Sequence, residues 1–491
     1  MNSKSRNIIS AAFAAAFFAF WMWGFPQGLN YQEQNQMFLW TWDYLAGRLS
    51  VCGGLADWIS EFIVQFFYIK WLGALVLALL FAALQLAVAG ENSRRAWGLS
   101  FVPPVLLLVY MGDCEVLVSY AVALCISALL CHPFEKIGWH KLWAAPLLWW
   151  LVGPVAILPV LWALAASRRM SDIVSAIWAL VAAYLIYRLF LMQWTPRDAM
   201  FGLNYYRLVE SLPALQIIIP AGVLLCLAAI RWIPDLKAPA VTNSAIIILT
   251  IAAGALGISA NYDKDTWTML AFDDRTRNGE YDKVLAQAEK HQPGNSVSAT
   301  YVNFALMNTG KGLEKLPEYW QSGTNGLIMP SVRDNLSDIA SCEALWMMGM
   351  NNTALQYAFD LQESIQNGRK SGRFTSRIAE CHIVNGDFNI ALRYLDKLTH
   401  TTFYRKWAEE RIDAIKNGGI YDNPVYRYLQ FARPKDDYIV NYEAMDVMVA
   451  LLYRQSPQNM VAAWYFNAWQ MLKTAEQHKN EETQYTGTHG S

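Results

Sequence analysis

Residues 26–70 form a stretch rich in uncharged amides and aromatic side chains, and its first carboxylate is Glu33. Amide groups donate and accept hydrogen bonds, and aromatic rings pack on sugar faces, so this composition suits a hydroxyl-rich ligand. A carboxylate beside such a ligand can take the proton of an acceptor hydroxyl. We therefore predict Glu33 as a catalytic base, with loop support from Gln34, Gln36 and Asp57. The alternative is that Glu33 only solvates the loop or caps a helix.

A second pair of carboxylates, Asp113 and Glu115, stands at the tip of a predicted hairpin of apolar segments. Carboxylate oxygens are ligands of hard divalent cations such as Mg²⁺ or Mn²⁺. The pair is therefore a candidate metal site, although an ordinary polar hairpin tip is the plainer interpretation. The seven histidines include no cluster with metal-ligand spacing.

Three arginines, Arg188, Arg197 and Arg207, lie around the C-terminal end of one apolar segment and in the loop that follows it. A guanidinium forms bidentate, charge-assisted hydrogen bonds with phosphate oxygens. These arginines are the predicted ligands of a leaving phosphate. Arg188 has a plainer alternative, in which its long side chain extends from a membrane helix to the lipid headgroups.

The elements that must position these residues are largely apolar, since hydrophobic residues make up 55% of the chain and charged residues 16%. Residues 1–260 contain 27 Lys, Arg, Asp and Glu residues, whereas residues 261–491 contain 52. Ordinary soluble domains carry about 25% charged residues. The first half is therefore predicted to lie in a membrane and the second in water. The net charge of −1, without a basic run, excludes nucleic-acid binding by bulk charge.

Apolar segments in the first half are candidate membrane helices, because a spanning helix takes about 20 apolar residues. The nine segments lie at about 8–25, 71–89, 99–111, 116–131, 142–152, 154–166, 172–191, 213–230 and 244–260. Gly153-Pro154 interrupts 142–166, which is predicted as a hairpin; one long kinked helix is the alternative. With a cytoplasmic N-terminus, the hairpin puts ten Lys and Arg residues in cytoplasmic loops and four in outer loops, as the positive-inside rule requires.

Residues 261–477 have the periodicity of a helical repeat domain. Asn278-Gly279-Glu280-Tyr281 and Asn385-Gly386-Asp387-Phe388 are near copies of one turn, and each precedes an amphipathic helix pattern. Successive turns are roughly 30–40 residues apart, close to the 34-residue period of tetratricopeptide repeats, which the Gly-acidic-aromatic turn also resembles. Stacked hairpins would give a curved binding surface. The polar segment 478–491 is predicted to be a disordered tail.

Cysteines are scattered along the chain without a Cys-x-x-Cys pair, which argues against structural zinc and redox motifs. Cys342 and Cys381 lie about one repeat apart, on the side predicted to face away from the cytoplasm, where a disulfide would persist. Two unpaired buried cysteines are the plainer interpretation. A Cys52–Cys114 pairing is a weaker alternative.

The membrane half resembles the GT-C-fold glycosyltransferases. In that superfamily a long outer loop follows the first membrane helix and carries an early acidic residue, which Glu33 matches. A second acidic motif lies between the third and fourth membrane helices, where Asp113-Cys114-Glu115 stands. The resemblance implies a polyprenyl-phosphate-linked sugar donor and a periplasmic protein or glycan acceptor. The chain departs from the pattern in lacking an acidic doublet after the first helix.

The sequence thus predicts an all-α inner-membrane protein with two domains. A multi-pass domain, 1–260, carries the outer loop 26–70, and a periplasmic tetratricopeptide-like domain follows at 261–477. The chain also resembles an uncharacterised bacterial family of multi-pass proteins with a Glu-Gln-x-Gln-aromatic loop, which implies no chemistry. The leading functional hypothesis is a GT-C-like glycosyltransferase. The alternative is a non-catalytic envelope scaffold, and a transporter is disfavoured because acidic residues within the apolar segments are scarce.

Overall fold

The computed structural model describes residues 3–90, 95–167, 169–202, 204–208, 210–366, 368–435 and 444–488. Within these ranges the regular structure is helical, and extended backbone pairs at one isolated antiparallel bridge, between Val116 and Tyr206. The all-α prediction is therefore confirmed for the described residues. The chain divides into two compact units, Met1–Tyr262 and Asp263–Ser491.

The first unit is built from helices that differ widely in length. Its α-helices are α1 Ser3–Ala19, α2 Pro26–Gln34, α3 Trp42–Leu49, α4 Gly54–Val64, α5 Lys70–Ala89, α6 Val102–Met111, α7 Val118–Lys136, α8 Lys141–Val152, α9 Ile157–Ser167, α10 Met170–Phe190, α11 Pro196–Phe201, α12 Ala214–Trp232 and α13 Pro239–Ala260. A π-helical turn, Phe20–Gly24, extends α1, and 3-10 turns occupy Gln65–Tyr68, Trp97–Phe101 and Pro154–Ala156.

Six helices among the described residues are long and apolar enough to cross a membrane. They are Lys4–Gly24, Lys70–Ala89, Val118–Lys136, Met170–Phe190, Ala214–Trp232 and Pro239–Ala260. The other three predicted segments fall on shorter apolar helices, Trp97–Met111, Lys141–Val152 and Pro154–Ser167. These are shorter than the roughly 20 residues that spanning requires. A membrane protein is therefore supported, and the structure gives six candidate spans where the sequence predicts nine.

Segment 141–167 is a hairpin of α8 and α9 that turns at Gly153 (φ 94°). Lys141, at the start of α8, donates a hydrogen bond to Asp172, which also accepts one from Ser167 at the end of α9. The two ends of the segment therefore meet, which one long kinked helix would not allow. The hairpin prediction is therefore correct, and the Lys141–Asp172 ion pair connects the hairpin to α10.

The second unit is a succession of helices in which neighbours along the chain pack on one another, as α17 to α21 do. Its α-helices are α14 Lys264–Arg277, α15 Tyr281–Lys290, α16 Ser296–Thr309, α17 Ile339–Met348, α18 Asn351–Glu363, α19 Gly372–Asn385, α20 Phe388–Thr399, α21 Arg405–Lys416, α22 Pro424–Ala432, α23 Met445–Gln455 and α24 Met460–Thr488. Shorter 3-10 turns occupy Leu313–Glu318, Gly323–Gly326 and Ile420–Asp422.

The two turns singled out in the sequence both join antiparallel helices through a glycine with positive φ. Gly279 (φ 69°) separates α14 from α15, and Gly386 (φ 85°) ends α19 before α20. Glycine suits the left-handed conformation because it lacks a Cβ. After each turn the predicted apolar positions are buried, including Val284 and Ala391. Helical hairpins therefore occur where the repeated turn predicts them.

All seven cysteines are free and buried, so the plainer interpretation of Cys342 and Cys381 as unpaired thiols holds, and neither disulfide alternative does. The chain end also differs from expectation. Helix α24 runs to Thr488, although disorder was predicted from residue 478, because the segment holds helix-forming Lys, Glu and Gln residues that its polarity obscured. Residues 489–491 of that tail lie outside the described residues.

Candidate functional site

Helix α2 starts the candidate site, and it is polar yet buried. Pro26 occupies its first turn, where a missing N–H costs nothing. From Gly28 to Gln34 every residue is buried, and Glu33 is only 4% exposed. Buried amides and carboxylates are retained where hydrogen bonds satisfy them. The predicted solvent-facing loop residues Glu33, Gln34 and Gln36 are therefore inside the membrane unit, packed by the surrounding helices.

Two side chains of α2 form hydrogen bonds with the tip of the α6–α7 hairpin. The Tyr31 hydroxyl donates to Glu115 Oε1 at 2.9 Å. The Gln32 amide Nε2 donates to the backbone carbonyls of Cys114 (3.0 Å) and Val116 (2.8 Å). Helix α2 and the acidic hairpin tip at 113–115, which are distant in sequence, thus meet in the fold.

The loop 204–208 joins the same hairpin tip. Leu117 N donates to Tyr205 O, and Arg207 N donates to Glu115 O, each at 3.0 Å. The Tyr206 hydroxyl donates to Asp113 Oδ2 at 2.7 Å. Each carboxylate of the tip therefore accepts a tyrosine hydroxyl from a different segment. We refer below to these residues as the polar cluster: Tyr31, Gln32, Asp113, Glu115, Tyr206 and Arg207.

Arg207 is the predicted phosphate ligand that the fold brings into the polar cluster. It is 5% exposed, its Nη2 donates to Gln32 Oε1 at 3.0 Å, and its guanidinium carbon lies 4.7 Å from the centre of the Tyr31 ring. Gln36 Nε2 donates to the same Gln32 oxygen at 3.1 Å. Among the described residues Arg207 Nη1 has no hydrogen-bond partner. One strong donor in the cluster is therefore available to an anion or a hydroxyl.

Burial sets the ionisation state of the cluster's weak acids. It raises the pKa of the Tyr31 phenol well above the ordinary value, and the Glu115 carboxylate raises it further. Burial, with the hydrogen bond to Asp113, also raises the pKa of Tyr206. Burial raises the pKa of the Cys114 thiol as well. The two tyrosines stay protonated near neutral pH, so they act as permanent hydrogen-bond donors to the two carboxylates.

Buried carboxylates on α4 support the cluster from outside it. Asp57 accepts a hydrogen bond from Asn204 Nδ2, and Asn204 lies in the loop that carries Arg207. Glu61 forms an ion pair with Arg48 at 2.7 Å and accepts a hydrogen bond from Tyr44. The predicted supporting residue Asp57 is therefore placed beside the cluster loop.

Other predicted site residues lie on the elements around the cluster. Arg188 and Arg197 are exposed, on α10 and α11. Glu33 follows Gln32 on α2 and is buried. Among the described residues no group of three His, Cys, Asp or Glu side chains is placed to hold a metal ion.

An apolar groove of about 710 Å³ lies between α10 and α12, with α8 and α9 beneath it. Tyr184, Tyr187, Phe201, Gln216 and Ile217 are among its lining residues. Phe201 and Gln216 also line a small polar pocket, together with Arg197, Asp198 and Tyr206. Of these residues Tyr206 belongs to the polar cluster, so the groove adjoins a pocket that touches the cluster.

Sequence reasoning missed Tyr31, Gln32 and Tyr206, although two signals pointed to them. Gln32 and Gln36 are four residues apart, which places both amides on one helix face. The sequence Asn204-Tyr205-Tyr206-Arg207 combines phenol and guanidinium groups in a loop. Neither signal indicates a partner, because partners across a fold are not encoded in local spacing.

Comparison with known families gives one match. A family model described as "Family of unknown function (DUF6057)" matches residues 2–487. No curated protein and no solved structure matches the chain. The family match covers both compact units, so the helical membrane unit and the helical repeat-like unit occur together in that family.

Proposed function

The chain belongs to the DUF6057 family of unknown function, and we propose that it is an inner-membrane glycosyltransferase of GT-C-like fold. It would move a sugar from a polyprenyl-phosphate donor to an acceptor outside the cytoplasm. The observation that carries the proposal is the apolar groove, which shares Phe201 and Gln216 with the small pocket that Arg197 and the cluster residue Tyr206 line. A lipid-linked sugar needs this combination of an apolar channel and a polar end.

The groove suits the lipid chain of such a donor. Its wall is made mainly of aliphatic and aromatic side chains from five helices, α8 to α12, and its volume is about 710 Å³. Because lipid tails are as apolar as these side chains, a polyprenyl chain can move from the bilayer into the groove without exposing its CH₂ groups to water. Arg197 at the polar end, and Arg188 near the end of α10, are available to neutralise the phosphate.

Glu33 on α2 and the polar cluster beside it supply groups for the transfer itself. The acceptor hydroxyl gives its proton to Glu33 while its oxygen attacks the anomeric carbon of the donor. The bond from that carbon to the phosphate oxygen breaks, and its electron pair leaves with polyprenyl phosphate. Glu115, which is half-buried and held by Tyr31, is the second carboxylate that can take this proton. Arg207 Nη1 is placed to donate a hydrogen bond to a sugar or phosphate oxygen.

A divalent ion is a separate part of the proposal. Both Asp113 oxygens already accept hydrogen bonds, from the Glu115 amide and from Tyr206. A Mg²⁺ or Mn²⁺ ion held by Asp113 and Glu115 would therefore need further oxygen ligands from water or from the donor phosphate.

The proposal includes the topology predicted from the sequence. In it, all nine apolar segments are membrane-embedded, the three short ones enter as hairpin arms, and residues 261–477 form a tetratricopeptide-like domain in the periplasm. A stack of helical hairpins presents a surface suited to binding a protein or glycan acceptor. This domain would select the acceptor.

The lipid content of the native host tests the proposed activity. We expect a deletion strain to accumulate a polyprenyl-phosphate-linked sugar, measured by mass spectrometry of lipid extracts. Wild-type protein should remove the accumulated lipid, whereas Glu33→Gln should not, because an amide cannot take the proton. Glu115→Gln is tested in the same strain, and the base is the carboxylate whose replacement leaves the sugar-linked lipid accumulated.

Membrane abundance of each variant is the control, since a misfolded protein would also fail to transfer. Glu409→Gln, at an exposed position of α21 in the second unit, is the matched substitution and should behave as wild type. If Glu33→Gln and Glu115→Gln, separately and combined, restore normal lipid content, the protein is not this transferase, and the scaffold hypothesis gains.

A further inference from the structure

We propose that the C-terminal half of α10 is a lateral gate on the apolar groove, and that it closes when the groove holds a lipid with an anionic headgroup. The inference rests on the proposed function only in taking the groove as a lipid site. It concerns how a ligand enters between α10 and α12, and it holds whether or not a sugar is then transferred.

Burial along α10 falls sharply from one end to the other. Ser171, Asp172 and Ser175 are buried near its start, and Ala182 is buried midway. No residue from 183 to 190 is buried. The stretch 183–190 includes Tyr184 and Tyr187, which line the groove. The half of α10 that carries Tyr184 and Tyr187 is therefore less buried than the start of the helix, and the contact of the Phe190 ring with Trp150, at 5.7 Å between centroids, is one that the gate would loosen.

The N-terminal end of α10 is held by a buried ion pair. The Asp172 carboxylate accepts hydrogen bonds from Lys141 Nζ, from Ser167 Oγ and from the Arg169 amide. Both charged side chains of the Lys141–Asp172 pair have no solvent exposure. Separating such a pair would leave two uncompensated buried charges, so this end acts as a fixed pivot.

The closing force would come from the phosphate of the bound lipid. Arg188 lies one helical turn beyond the groove-lining Tyr184, on the same face of α10. Arg197 lines the polar pocket at the end of the groove. An anionic headgroup between these arginines attracts the mobile end of α10 towards α11. A neutral lipid of the same length fills the groove without this attraction.

The expected motion is small but measurable. Asp172 and Phe190 are separated by most of α10, and a helix rises about 1.5 Å per residue. A rotation of about 10° at Asp172 therefore moves the C-terminal end by about 5 Å. The same rotation leaves residues next to the pivot almost in place.

Distance measurements between paired spin labels test the gate in the full-length protein in phosphatidylcholine nanodiscs. Labels at Leu189→Cys and Ile218→Cys report the mobile end, because both side chains are exposed and neither lines the groove. Labels at Ile173→Cys and Leu225→Cys report the pivot end. The native cysteines are buried, so exposed engineered ones are labelled selectively.

We expect polyprenyl phosphate to shorten and narrow the 189–218 distances and to leave the 173–225 distances unchanged. Polyprenol of the same chain length should change neither pair. Arg188→Gln should abolish the response to polyprenyl phosphate, whereas Arg169→Gln, an exposed arginine at the pivot end, should keep it. The gate is refuted if polyprenyl phosphate changes neither pair, if both pairs change equally, or if polyprenol acts as well as its phosphate. If the gate closes but the protein has no transfer activity, the proposed function is overturned and the gate is not.

Discussion

Tyr31 and Tyr206 determine how the two carboxylates of the hairpin tip are presented. Each phenol donates to a different carboxylate, at 2.9 Å and 2.7 Å. Because burial raises the pKa of both phenols, neither loses its proton near neutral pH. Both phenols therefore remain hydrogen-bond donors near neutral pH. Glu115 and Asp113 are thus each held by a neutral hydroxyl rather than by a charged side chain.

Removing the Tyr31 hydroxyl should destabilise the first unit. In Tyr31→Phe the ring remains under the Arg207 guanidinium, but Glu115 loses a buried donor. A lost hydrogen bond to a charged group costs about 1.5–3 kcal/mol, so we expect a lower free energy of unfolding, measured by denaturant titration in detergent micelles. Tyr184→Phe, whose side chain is exposed, is the matched control and should lie within about 0.5 kcal/mol of wild type. Equal stabilities of the two variants would contradict the assigned bond.

Arg207 illustrates what residue type alone can predict. Its guanidinium was predicted as a phosphate ligand from its residue type and its place in the loop after α10, and the fold places it in the polar cluster. Arg188 and Arg197 have the same chemistry but remain exposed. The difference arises because only Arg207 lies on the segment that pairs with the hairpin tip at Val116 and Tyr206.

At the scale of helices, α2 and α10 are attached to the first unit in opposite ways. Helix α2 is polar and enclosed on all sides, so its hydrogen bonds fix its orientation. Helix α10 is apolar and largely exposed, with one ion pair at its start. The sequence pattern predicts both helices, but only burial distinguishes a rigid support from a candidate moving wall.

The Lys141–Asp172 pair should account for much of the attachment of α10. Asp172→Asn leaves the Lys141 ammonium buried without its counter-charge, and such losses cost about 3–5 kcal/mol. Lys141→Met combined with Asp172→Asn should recover a large part of this loss. The control is the exposed Lys370–Glu363 pair, whose disruption should cost less than about 1 kcal/mol. Chemical denaturation of Asp172→Asn, Lys141→Met, their double variant and the control Glu363→Gln measures the differences, and strict additivity of the two membrane-unit substitutions would refute the pairing.

At the scale of the whole molecule, the two units differ in the environment that their composition suits, which is a membrane for the first and water for the second. The first contains the six candidate spans, and the second exposes charged helix faces. The family match extends over both. The two units therefore belong together in one family, and the proposed function uses both of them.

Labelling in cells should reveal on which side of the membrane each unit lies. With a membrane-impermeant maleimide and a permeabilised outer membrane, Lys290→Cys should react in intact cells. Gly138→Cys, between α7 and α8, should react only after lysis, because the proposed topology puts it in the cytoplasm. Both positions are exposed, and the native cysteines are buried, so background labelling should be low. The reverse pattern would invert the proposed topology.

Local composition was enough to establish the helical class, the division near residue 260, the α8–α9 hairpin and the glycine turns. Each depends on neighbouring residues, through apolar run length, charge density or backbone freedom at glycine. The polar cluster could not be predicted in the same way. Tyr31, Glu115 and Arg207 are far apart in the chain, and their proximity depends on packing between helices. Tertiary structure alone decided that Glu33 is buried, that Arg207 bonds to the Glu115 backbone and to Gln32, and that an apolar groove adjoins the pocket lined by Tyr206.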